Sequence, residues 1–461
     1  MIADLKPYAE YKESGLPWLG QVPGHWEVKR AKSIFERIDE RSKTGGEELL
    51  TVSSARGIVP RKSANVTMFK AESYLGYKLC WPGDLVINSL WAWGGGLGVS
   101  QHHGIISSAY GVYRIRKNAP MIPSFVHEVV RSSPFNWELH VRSKGVWISR
   151  LQLTDVSFLD APLHMPPPAE QAAIVRFLNW ANGRLERAIR AKRKVIALLG
   201  EQKQAIIHRA VTRGLDPSVP LKPSGIPWLG DIPQHWEIVG AKQISSVFIP
   251  QRDKPSLNEI EGLPWITPVS VGDVFLHSTT LFVTQAGLSS EGHRVVPPGS
   301  VIASCVGRFG IASINQSPVV INQQLQAFIP STSISALYLR HCVQVARPYF
   351  EMEGNATTLA YVNRQGFGRM PLPFPPLLDQ EEIERFLDIE LSSVNRVIGQ
   401  AHREMSLLRE YRTRLVADVV TGKLDVREAA ARLPDEVAPD RVEDDTDLSL
   451  DPEAADEEAA V

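Results

Sequence analysis

Residues 14–28 read SGLPWLGQVPGHWEV, and residues 224–238 read SGIPWLGDIPQHWEI. Ten of the fifteen positions are identical, and three more exchange Leu, Val and Ile for one another. The offset between the copies is 210 residues, nearly half of the 461-residue chain. A repeat of this length indicates a chain built from two copies of one module.

A second repeated block lies near the end of each half. Residues 165–178 read MPPPAEQAAIVRFL and residues 374–387 read FPPLLDQEEIERFL, an offset of 209. The similarity resumes in AVTRGLD at 210–216 and VVTGKLD at 419–425. The proline runs cannot continue a helix backwards, and apolar residues then recur every three or four positions. This spacing predicts one long helix in each block, about 60 Å long at 1.5 Å per residue.

Each predicted helix has an apolar stripe that needs a partner helix, and the other copy is the internal candidate. We therefore expect an antiparallel or crossing helix pair. The predicted core positions of this pair are Ile174, Leu178, Leu185, Ile189, Ile196, Leu199, Leu387, Val394, Leu408 and Leu415.

The segments between the repeated blocks, about 25–165 and 235–375, do not resemble each other in detail. Both contain short β-like runs separated by turn residues. The fold class predicted from these patterns is α+β, with two mixed α/β domains on a repeated scaffold. The predicted divisions are an N-terminal segment at 1–24, a variable domain at 25–165, a central helix at 166–214, a repeated linker at 215–234, a second variable domain at 235–375, a C-terminal helix at 376–424 and an acidic tail at 425–461.

The composition is typical of a soluble globular protein, with 43% hydrophobic and 22% charged residues. No run approaches 18 apolar residues, so we expect no membrane span. The N-terminus lacks an apolar signal region, which predicts a cytoplasmic protein. Cys80, Cys305 and Cys342 are far apart and form no C-x-x-C pair, which suits a reducing compartment and argues against structural zinc.

The net charge of −1 conceals an uneven distribution. Residues 435–461 contain twelve acids and one Arg, whereas residues 1–434 contain 49 basic and 39 acidic residues. The tail is interpreted either as a solvated disordered end or as an acidic strip that competes with a polyanion for the basic body.

The motifs of common catalytic sites are absent from the sequence. There is no phosphate-binding P-loop, no G-x-G-x-x-G after a strand and no H-E-x-x-H. The Asn-Pro-Pro-aromatic run of amino-methyltransferases is also missing. We therefore expect no catalytic activity from this chain by itself and no metal site.

The first variable segment contains the glycine-rich run WAWGGGLG at residues 91–98. One interpretation is a tight loop anchored by its aromatic rings. The other is a loop that approaches a nucleic-acid groove, for which the candidate contact residues are Asn88, Ser89, Trp91 and Gln101.

In the second variable segment, Asn322, Gln323 and Gln324 follow an apolar run. Amide side chains can pair with adenine in the major groove, but they also form buried networks that hold strands together. Ser304 and Arg308 lie upstream in a turn-rich stretch and carry the same two interpretations.

Polar residues also precede each proline-rich run at corresponding positions. Hydroxyls, amides and cations together suit phosphate contacts that set register, although ordinary loop polarity explains them equally well. These candidates are Arg142, Lys144, Arg150, Thr357, Thr358, Asn363 and Arg364. The four tryptophans of the repeated segment are interpreted as packing anchors or as a surface for a partner subunit.

The order of these segments resembles the specificity (DNA-recognition) subunits of type I restriction–modification systems. The resemblance rests on SG-PWLG-P-HWE, a variable segment, PPP-EQ-I--FL, a long helix and AVTRGLDP. It covers about residues 8–428 and includes NQQLQAFI from Asn322. The acidic tail lies outside it.

The resemblance implies a non-catalytic subunit with two target-recognition domains. These are separated by two conserved helices in an antiparallel coiled coil with pseudo-twofold internal symmetry. Each domain is implied to read one half of a bipartite double-stranded DNA site with a fixed spacer. The implied partners are two methyltransferase subunits and translocase–nuclease subunits. S-adenosylmethionine, ATP and Mg²⁺ are implied on those partners and not on this chain.

The alternative function is a non-catalytic two-domain scaffold that binds protein through its variable segments. DNA binding depends steeply on salt because phosphate contacts release counterions, whereas scaffold binding does not require this dependence.

Overall fold

The chain divides into two compact units. Unit 1 holds residues 1–191 together with 404–461, and unit 2 holds residues 192–403. Unit 1 therefore contains both the N-terminal and the C-terminal parts of the sequence. The computed structural model describes residues 5–63, 73–145, 151–284, 288, 293–354 and 360–434.

Residues 5–213 form short strands and helices followed by the first long helix, whose residues from 192 onward belong to unit 2. The elements are β1 Tyr11–Glu13, β2 Gln21–Pro23, β3 Glu27–Arg30, α1 Ala31–Ile34, β4 Phe35–Ile38, β5 Leu50–Ser53, β6 Gly57–Pro60, β7 Lys78–Cys80, β8 Leu85–Ile87, β9 Leu97–Val99, β10 Gly104–Ile106, β11 Gly111–Ile115, α2 Pro123–Val130, α3 Ser133–Arg142, α4 Asp155–Leu159, β12 Pro162–Met165 and α5 Pro168–Arg213.

The remaining elements follow the same general plan. They are β13 Leu221–Pro223, β14 Asp231–Pro233, β15 Glu237–Gly240, α6 Ala241–Ile244, β16 Ser245–Phe248, β17 Leu257–Asn258, β18 Leu263–Ile266, β19 Phe282–Val283, β20 Val301–Ser304, β21 Ala312–Ile314, β22 Val320–Ile321, β23 Leu325–Pro330, α7 Ala336–Val345, α8 Arg347–Glu353, α9 Arg364–Arg369, β24 Pro371–Phe374, α10 Leu377–Val420 and α11 Arg427–Ala431.

Each unit contains a four-stranded sheet with the same strand order. In unit 1 the order is β4-β11-β8-β9, and in unit 2 it is β16-β23-β20-β21. All neighbouring strands in both sheets are antiparallel. In both, the last two strands of the order form a hairpin. The two unlike segments of sequence thus fold into mixed α/β domains around one topology.

The repeated sequence blocks form equivalent strand pairs in the two units. The β1–β2 pair of unit 1 corresponds to β13–β14 of unit 2. The strand after His-Trp pairs in each unit with the strand before the long helix, as β3–β12 and β15–β24. These pairs fix the start of each long helix beside the repeated segment.

The repeated tryptophans are packing anchors in both units. Trp26 is 0% exposed in the core of unit 1, and Trp236 is 1% exposed in the core of unit 2. Trp18 and Trp228 pack against the same two cores while remaining partly exposed. The interpretation of these residues as anchors therefore agrees with their burial.

Glycine at the end of each long helix lets the repeated segment approach. Gly214 follows α5 with φ +69°, and Gly422 lies just past α10 with φ +78°. Left-handed backbone of this kind commonly ends a helix and favours glycine. A Cβ at Gly422 would lie 3.0 Å from the Trp26 ring, and one at Gly214 would lie 3.2 Å from the Trp236 ring.

Both long helices bury one apolar stripe, as a helix period requires. Of the predicted core positions, seven are buried and three are half-buried. The buried ones are Ile174, Leu178, Leu185, Ile189, Leu387, Val394 and Leu415, and the half-buried ones are Ile196, Leu199 and Leu408.

Contacts between the two helices occur inside each unit. In unit 1, Arg412 Nη1 lies 3.4 Å from Glu186 Oε2. In unit 2, Lys203 Nζ donates to Asn395 Oδ1 over 2.8 Å. In unit 1, Leu415, Val419 and the start of α5 share one hydrophobic core. None of the described helices is long and apolar enough to cross a membrane.

Candidate nucleic-acid interface

A carboxylate in the first turn of each long helix holds the repeated His-Trp pair. In unit 1, Glu170 accepts hydrogen bonds from Trp26 Nε1 at 2.8 Å and from the Tyr8 hydroxyl at 2.5 Å. His25 Nε2 lies 2.8 Å from the same carboxylate. Burial and this acceptor raise the pKa of Tyr8, so the phenol stays protonated and remains a donor.

Unit 2 repeats this arrangement with a shorter carboxylate. Asp379 accepts from Trp236 Nε1 at 3.0 Å, and His235 Nε2 lies 3.1 Å from it. An acid in the first turn also favours the positive end of the helix dipole. The repeated His-Trp pair is therefore explained by its contacts with the carboxylate at the start of each long helix.

Residues 91–96 of the glycine-rich run lie in the loop of the β8–β9 hairpin, residues 88–96, and its last two residues begin β9. The loop closes through Trp91 N–H to the Asn88 carbonyl at 3.0 Å and Gly96 N–H to the Trp91 carbonyl at 2.9 Å. A Cβ at Gly94 or Gly96 would approach Trp91 atoms to 2.8 Å. The glycines are therefore required for the chain to fold around the Trp91 indole.

One cation fastens this loop to a neighbouring turn. The Arg131 guanidinium, at the end of α2, donates to the carbonyls of Leu97 at 2.7 Å and Gly95 at 3.4 Å. It also donates to the carbonyls of Ser53 and Ser54 in the β5–β6 turn. A guanidinium is suited to this role because its five donors are held in a fixed plane. Burial lowers the pKa of Arg131 from its usual value.

A neutral imidazole supports the other side of the hairpin. His127 Nδ1 accepts from the Val99 backbone N–H at 3.2 Å. A Cβ at Gly98 would lie 3.3 Å from this ring, a tight contact that glycine avoids. Burial lowers the pKa of His127 to about 4, which keeps the imidazole an acceptor at neutral pH.

The structure brings several unit 1 candidates together at this hairpin. Ser89 accepts from the Leu153 N–H at 2.8 Å through its carbonyl, so the segment that follows α3 lies against the loop. Lys144, in that segment, is exposed, and its backbone forms an isolated antiparallel β-bridge with Gln152. Asn88 Nδ2 reaches the Tyr110 hydroxyl at 3.4 Å. Asn88, Ser89 and Trp91 thus lie in one hairpin loop, and Lys144 lies in the segment whose Leu153 bonds to that loop.

Two other unit 1 candidates are placed differently, and a third is not described. Gln101 is exposed but lies beyond the opposite end of β9 from the loop. Arg142 pairs with Glu138 at 2.6 Å, so its charge is compensated within α3. Arg150 lies outside the described residues.

In unit 2 the equivalent hairpin, β20–β21, carries the loop 305–311. Cys305 N–H donates to the Gln324 carbonyl at 2.9 Å, and the Val362 N–H donates to the Cys305 carbonyl at 3.0 Å. Gly307 N–H donates to the Ala360 carbonyl at 2.8 Å. The hairpin loop therefore meets both the Asn-Gln-Gln segment and the chain before α9.

Some unit 2 candidates use their side chains inside the fold. Ser304 is 5% exposed, and its hydroxyl donates to the Val306 carbonyl. Asn322 Oδ1 accepts from the Gln324 N–H at 2.8 Å, and Gln323 Nε2 donates to the Arg252 carbonyl at 2.6 Å. The interpretation as a structural amide network thus describes Asn322 and Gln323.

Other unit 2 candidates remain exposed. Gln324 and Arg308 are exposed around the hairpin. Asn363 caps α9 by accepting from the Gly366 N–H at 2.9 Å, and Arg364 follows it at the surface. Thr357 and Thr358 lie outside the described residues.

Sequence reasoning missed residues whose importance depends on long-range contacts. His127 and Arg131 support a loop about 30 residues before them, and no local pattern marks this contact. Lys242 and Arg369 line a groove with Arg364. The second set had a detectable signal, because RQGFGR at 364–369 replaces DVSFLD of the first half at the 209-residue offset.

The cysteines of the chain are free and buried. Burial raises the pKa of the Cys80 thiol to about 11 and that of Cys305 to about 12. No group of three or more His, Cys, Asp or Glu within the described ranges has the geometry to hold a metal ion.

Residues 233–394 match the family model described as the type I restriction modification DNA specificity domain. The chain is thus similar to the specificity subunits of type I restriction–modification systems. The resemblance drawn from the sequence is thereby confirmed. It points to a non-catalytic role in DNA sequence recognition within a restriction system.

Named relatives cover much of the chain at low identity. A putative type I restriction enzyme MjaX specificity subunit of Methanocaldococcus jannaschii is 21% identical over 436 residues, covering 89% of this chain and 96% of that protein. The EcoR124I/EcoR124II specificity subunit of Escherichia coli is 22% identical over 167 residues, covering 33% of this chain and 41% of that protein.

A solved structure shares the fold. It comes from work on complex assembly and conformational transition of the type I R-M system. The TM-score is 0.63 at 18% identity, and the match covers 87% of this chain and 99% of that one.

Proposed function

We propose that this chain recognises a bipartite double-stranded DNA site, with each unit reading one half. The recognition domains are residues 25–165 and 235–375. One observation carries the proposal: the same hairpin of the same sheet holds unlike loops in the two units. A common scaffold with different loops is what two different half-sites require, because base edges are read by a few side chains while the scaffold sets their position.

In the first domain, the reading elements are the β8–β9 loop and the segment around Lys144. The loop offers hydrogen-bonding groups at Asn88 and Ser89, and Arg131 holds it in one conformation. A loop that is fixed before binding loses less conformational entropy when it docks. Lys144 supplies the phosphate contact in this proposal.

In the second domain, the reading elements are the β20–β21 loop and the segments that flank it. Arg308 and Gln324 are exposed there and carry the donors and acceptors that read guanine and adenine. Asn322 and Gln323 contribute by fixing the backbone that presents Gln324.

The two long helices pair as an antiparallel coiled coil and set the spacer between the half-sites. The pairing is supported by the contacts Glu186–Arg412 and Lys203–Asn395, since residue numbers fall along one helix as they rise along the other. The exposed apolar side chains Leu378 and Ile389 on α10 suit a protein partner. We assign that surface to methyltransferase subunits, two per complex, with translocase–nuclease subunits completing it. S-adenosylmethionine, ATP and Mg²⁺ are bound by those partner subunits.

Mapping of adenine methylation tests this function. The chain is expressed with a methyltransferase subunit of its own system in a host that lacks other methylation. The expected result is a split motif, two unlike half-sites separated by a gap of constant length. A continuous motif, or an unmodified genome despite an assembled complex, contradicts the proposal.

A further inference from the structure

A basic groove lies on unit 2 between α6, β16 and α9. Its volume is about 530 Å³, and its charged lining consists of Lys242, Arg364 and Arg369. Ser246 and Gln365 add polar groups to the same walls. Three cations around one open groove create a site for an anion.

Two of these cations have no carboxylate within ion-pair distance in the part of the chain that the structure describes. They are Lys242 and Arg364, and both are exposed. Arg369 Nη2 lies 3.4 Å from Glu353 Oε2. The groove therefore carries excess positive charge, and charge-assisted hydrogen bonds from Arg suit phosphate oxygens in particular.

Two of the three cationic positions of the groove carry carboxylates in unit 1. Helix α4 corresponds to α9 at the 209-residue offset, so Asp155 stands at the position of Arg364 and Asp160 at that of Arg369. Helices α1 and α6 also correspond, and Lys32 stands at the position of Lys242. Two carboxylates in unit 1 have thus been replaced by two guanidinium groups in unit 2.

The unit 1 carboxylates are fully engaged with their own neighbours. Asp155 accepts from the Tyr113 hydroxyl at 2.6 Å and lies 3.0 Å from Arg37 Nε. Asp160 pairs with Arg30 and lies 3.8 Å from Lys32 Nζ. Each of these three cations thus has a carboxylate within ion-pair distance, unlike Lys242 and Arg364 among the described residues of unit 2.

The groove also continues the second reading element along the chain. Val362 is hydrogen-bonded to the β20–β21 loop through Cys305, and Arg364 follows two residues later at the start of α9. Residues 362–364 therefore connect the groove to the hairpin loop.

We propose that this groove binds one phosphodiester group of the DNA backbone beside the second half-site, and that the equivalent position of unit 1 binds none. This inference rests on the proposed function and deepens it. It assigns to unit 2 a sequence-independent contact that positions the duplex and that unit 1 does not share.

The test is the salt dependence of binding between the full-length chain and a mixed-sequence DNA duplex. The logarithm of the association constant falls linearly with the logarithm of the salt concentration, and removing one phosphate contact makes this slope less steep by about 0.9. The slope of the double variant K242Q/R364Q is expected to be less steep than that of the wild type by this amount. The matched control K32Q/R37Q also removes two positive charges, but at compensated positions of unit 1, and is expected to keep the slope. Thermal melting of both variants verifies that they fold.

The outcomes separate the two claims. If the wild-type chain binds DNA with a salt-dependent affinity and K242Q/R364Q keeps the wild-type slope, the groove inference is wrong while the proposed function stands. If the wild-type chain shows no salt-dependent binding, both fail. Titration with inorganic phosphate forms a further arm. Saturable phosphate binding that is lost in K242Q/R364Q, together with an unchanged DNA slope, would assign the groove to a small phosphorylated ligand and overturn the inference.

Discussion

The contacts of single residues explain why the repeated segments 14–28 and 224–238 are so similar. Trp26 and Trp236 must fit against a helix end that offers no side chain, and their indole N–H groups must meet a carboxylate. These two demands constrain the Trp, the Gly and the acid together in each unit. Neither requirement involves the hairpin loops 88–96 and 305–311. The repeated segments 14–28 and 224–238 therefore carry no information about which DNA sequence is bound.

Glycine substitutions test this packing. A Cβ at Gly422 would lie 2.4 Å from Pro23 Cδ, whereas one at Gly214 would meet Trp236 at 3.2 Å. Both glycines also have positive φ, which costs other residues roughly 1–2 kcal/mol. We expect G422A to lower the free energy of unfolding by more than this amount and by more than G214A does.

The matched control is Gly200, which lies inside α5 and where an added Cβ would have nothing within 4 Å. G200A should raise stability by about 0.5–1 kcal/mol because alanine favours a helix interior. Urea unfolding of the three variants provides the ranking, and a G422A protein as stable as wild type would contradict the account.

Arg131 offers a test of loop preorganisation. R131M removes the donor of four carbonyl groups, and a hydrogen bond to a charged donor contributes about 1.5–3 kcal/mol. We expect faster hydrogen exchange in residues 53–57 and 88–97 and weaker discrimination by the first domain. K117M, at an exposed lysine, is the control. Unchanged exchange of both loops in R131M would show that the guanidinium does not fasten them.

At the scale of elements, the sequence was most informative where a pattern was long. The proline runs and the apolar period of three and four predicted helices at 166–214 and 376–424, and helices occupy Pro168–Arg213 and Leu377–Val420. Caps and prolines act locally, so these features can be read from neighbouring residues.

Short strands were less accessible to sequence reasoning. The β8–β9 and β20–β21 hairpins are equivalent although their loops share no sequence, because the equivalence lies in the order of strands within the sheet. Similarly, Gln101 and Asn88 are only 13 positions apart in sequence, yet a whole strand separates the two. The groove of Lys242 and Arg364 unites residues more than 120 positions apart, which no local pattern can reveal.

The long helices provide a prediction at this scale. Inserting one turn of four residues into each helix, after Ala191 and after Arg403, lengthens each by about 6 Å. At 3.4 Å per base step this adds about one to two base pairs to the spacer. Methylation mapping should report unchanged half-sites and a longer gap. A variant that modifies DNA with the original gap would exclude the helices as the spacer.

At the scale of the whole molecule, buried histidines link the stability of the chain to pH. Burial lowers the pKa of His127, His164 and His341 to about 4, from an ordinary value of 6.5. The folded state therefore favours neutral imidazole, and the unfolded chain binds more protons at intermediate pH. Stability is complete above about pH 6.5 and falls as the pH is lowered toward 4.

His164 is the most direct probe of this dependence, because it is fully buried and stacks on Trp26 at 5.4 Å. Its neutral imidazole contributes on the order of 3 kcal/mol to the free energy of unfolding at pH 6.5, and this contribution is lost as the pH falls to 4. Urea unfolding of wild type at pH 7.5 and pH 5 should show the loss, and H164F should show a smaller one. H402Q, at an exposed position, is the control. An equal loss in H164F and wild type would assign the acid sensitivity to other groups.

The central claim is that two different recognition domains, residues 25–165 and 235–375, are attached to one repeated scaffold. Domain replacement tests this claim most directly. In the chimera, residues 235–375 are replaced by a second copy of residues 25–165, between repeated blocks that already match. Adenine methylation is then mapped with the methyltransferase partner. The account predicts a motif whose two halves are inverted copies of the wild-type first half-site. A modified motif that keeps the wild-type second half-site would contradict it.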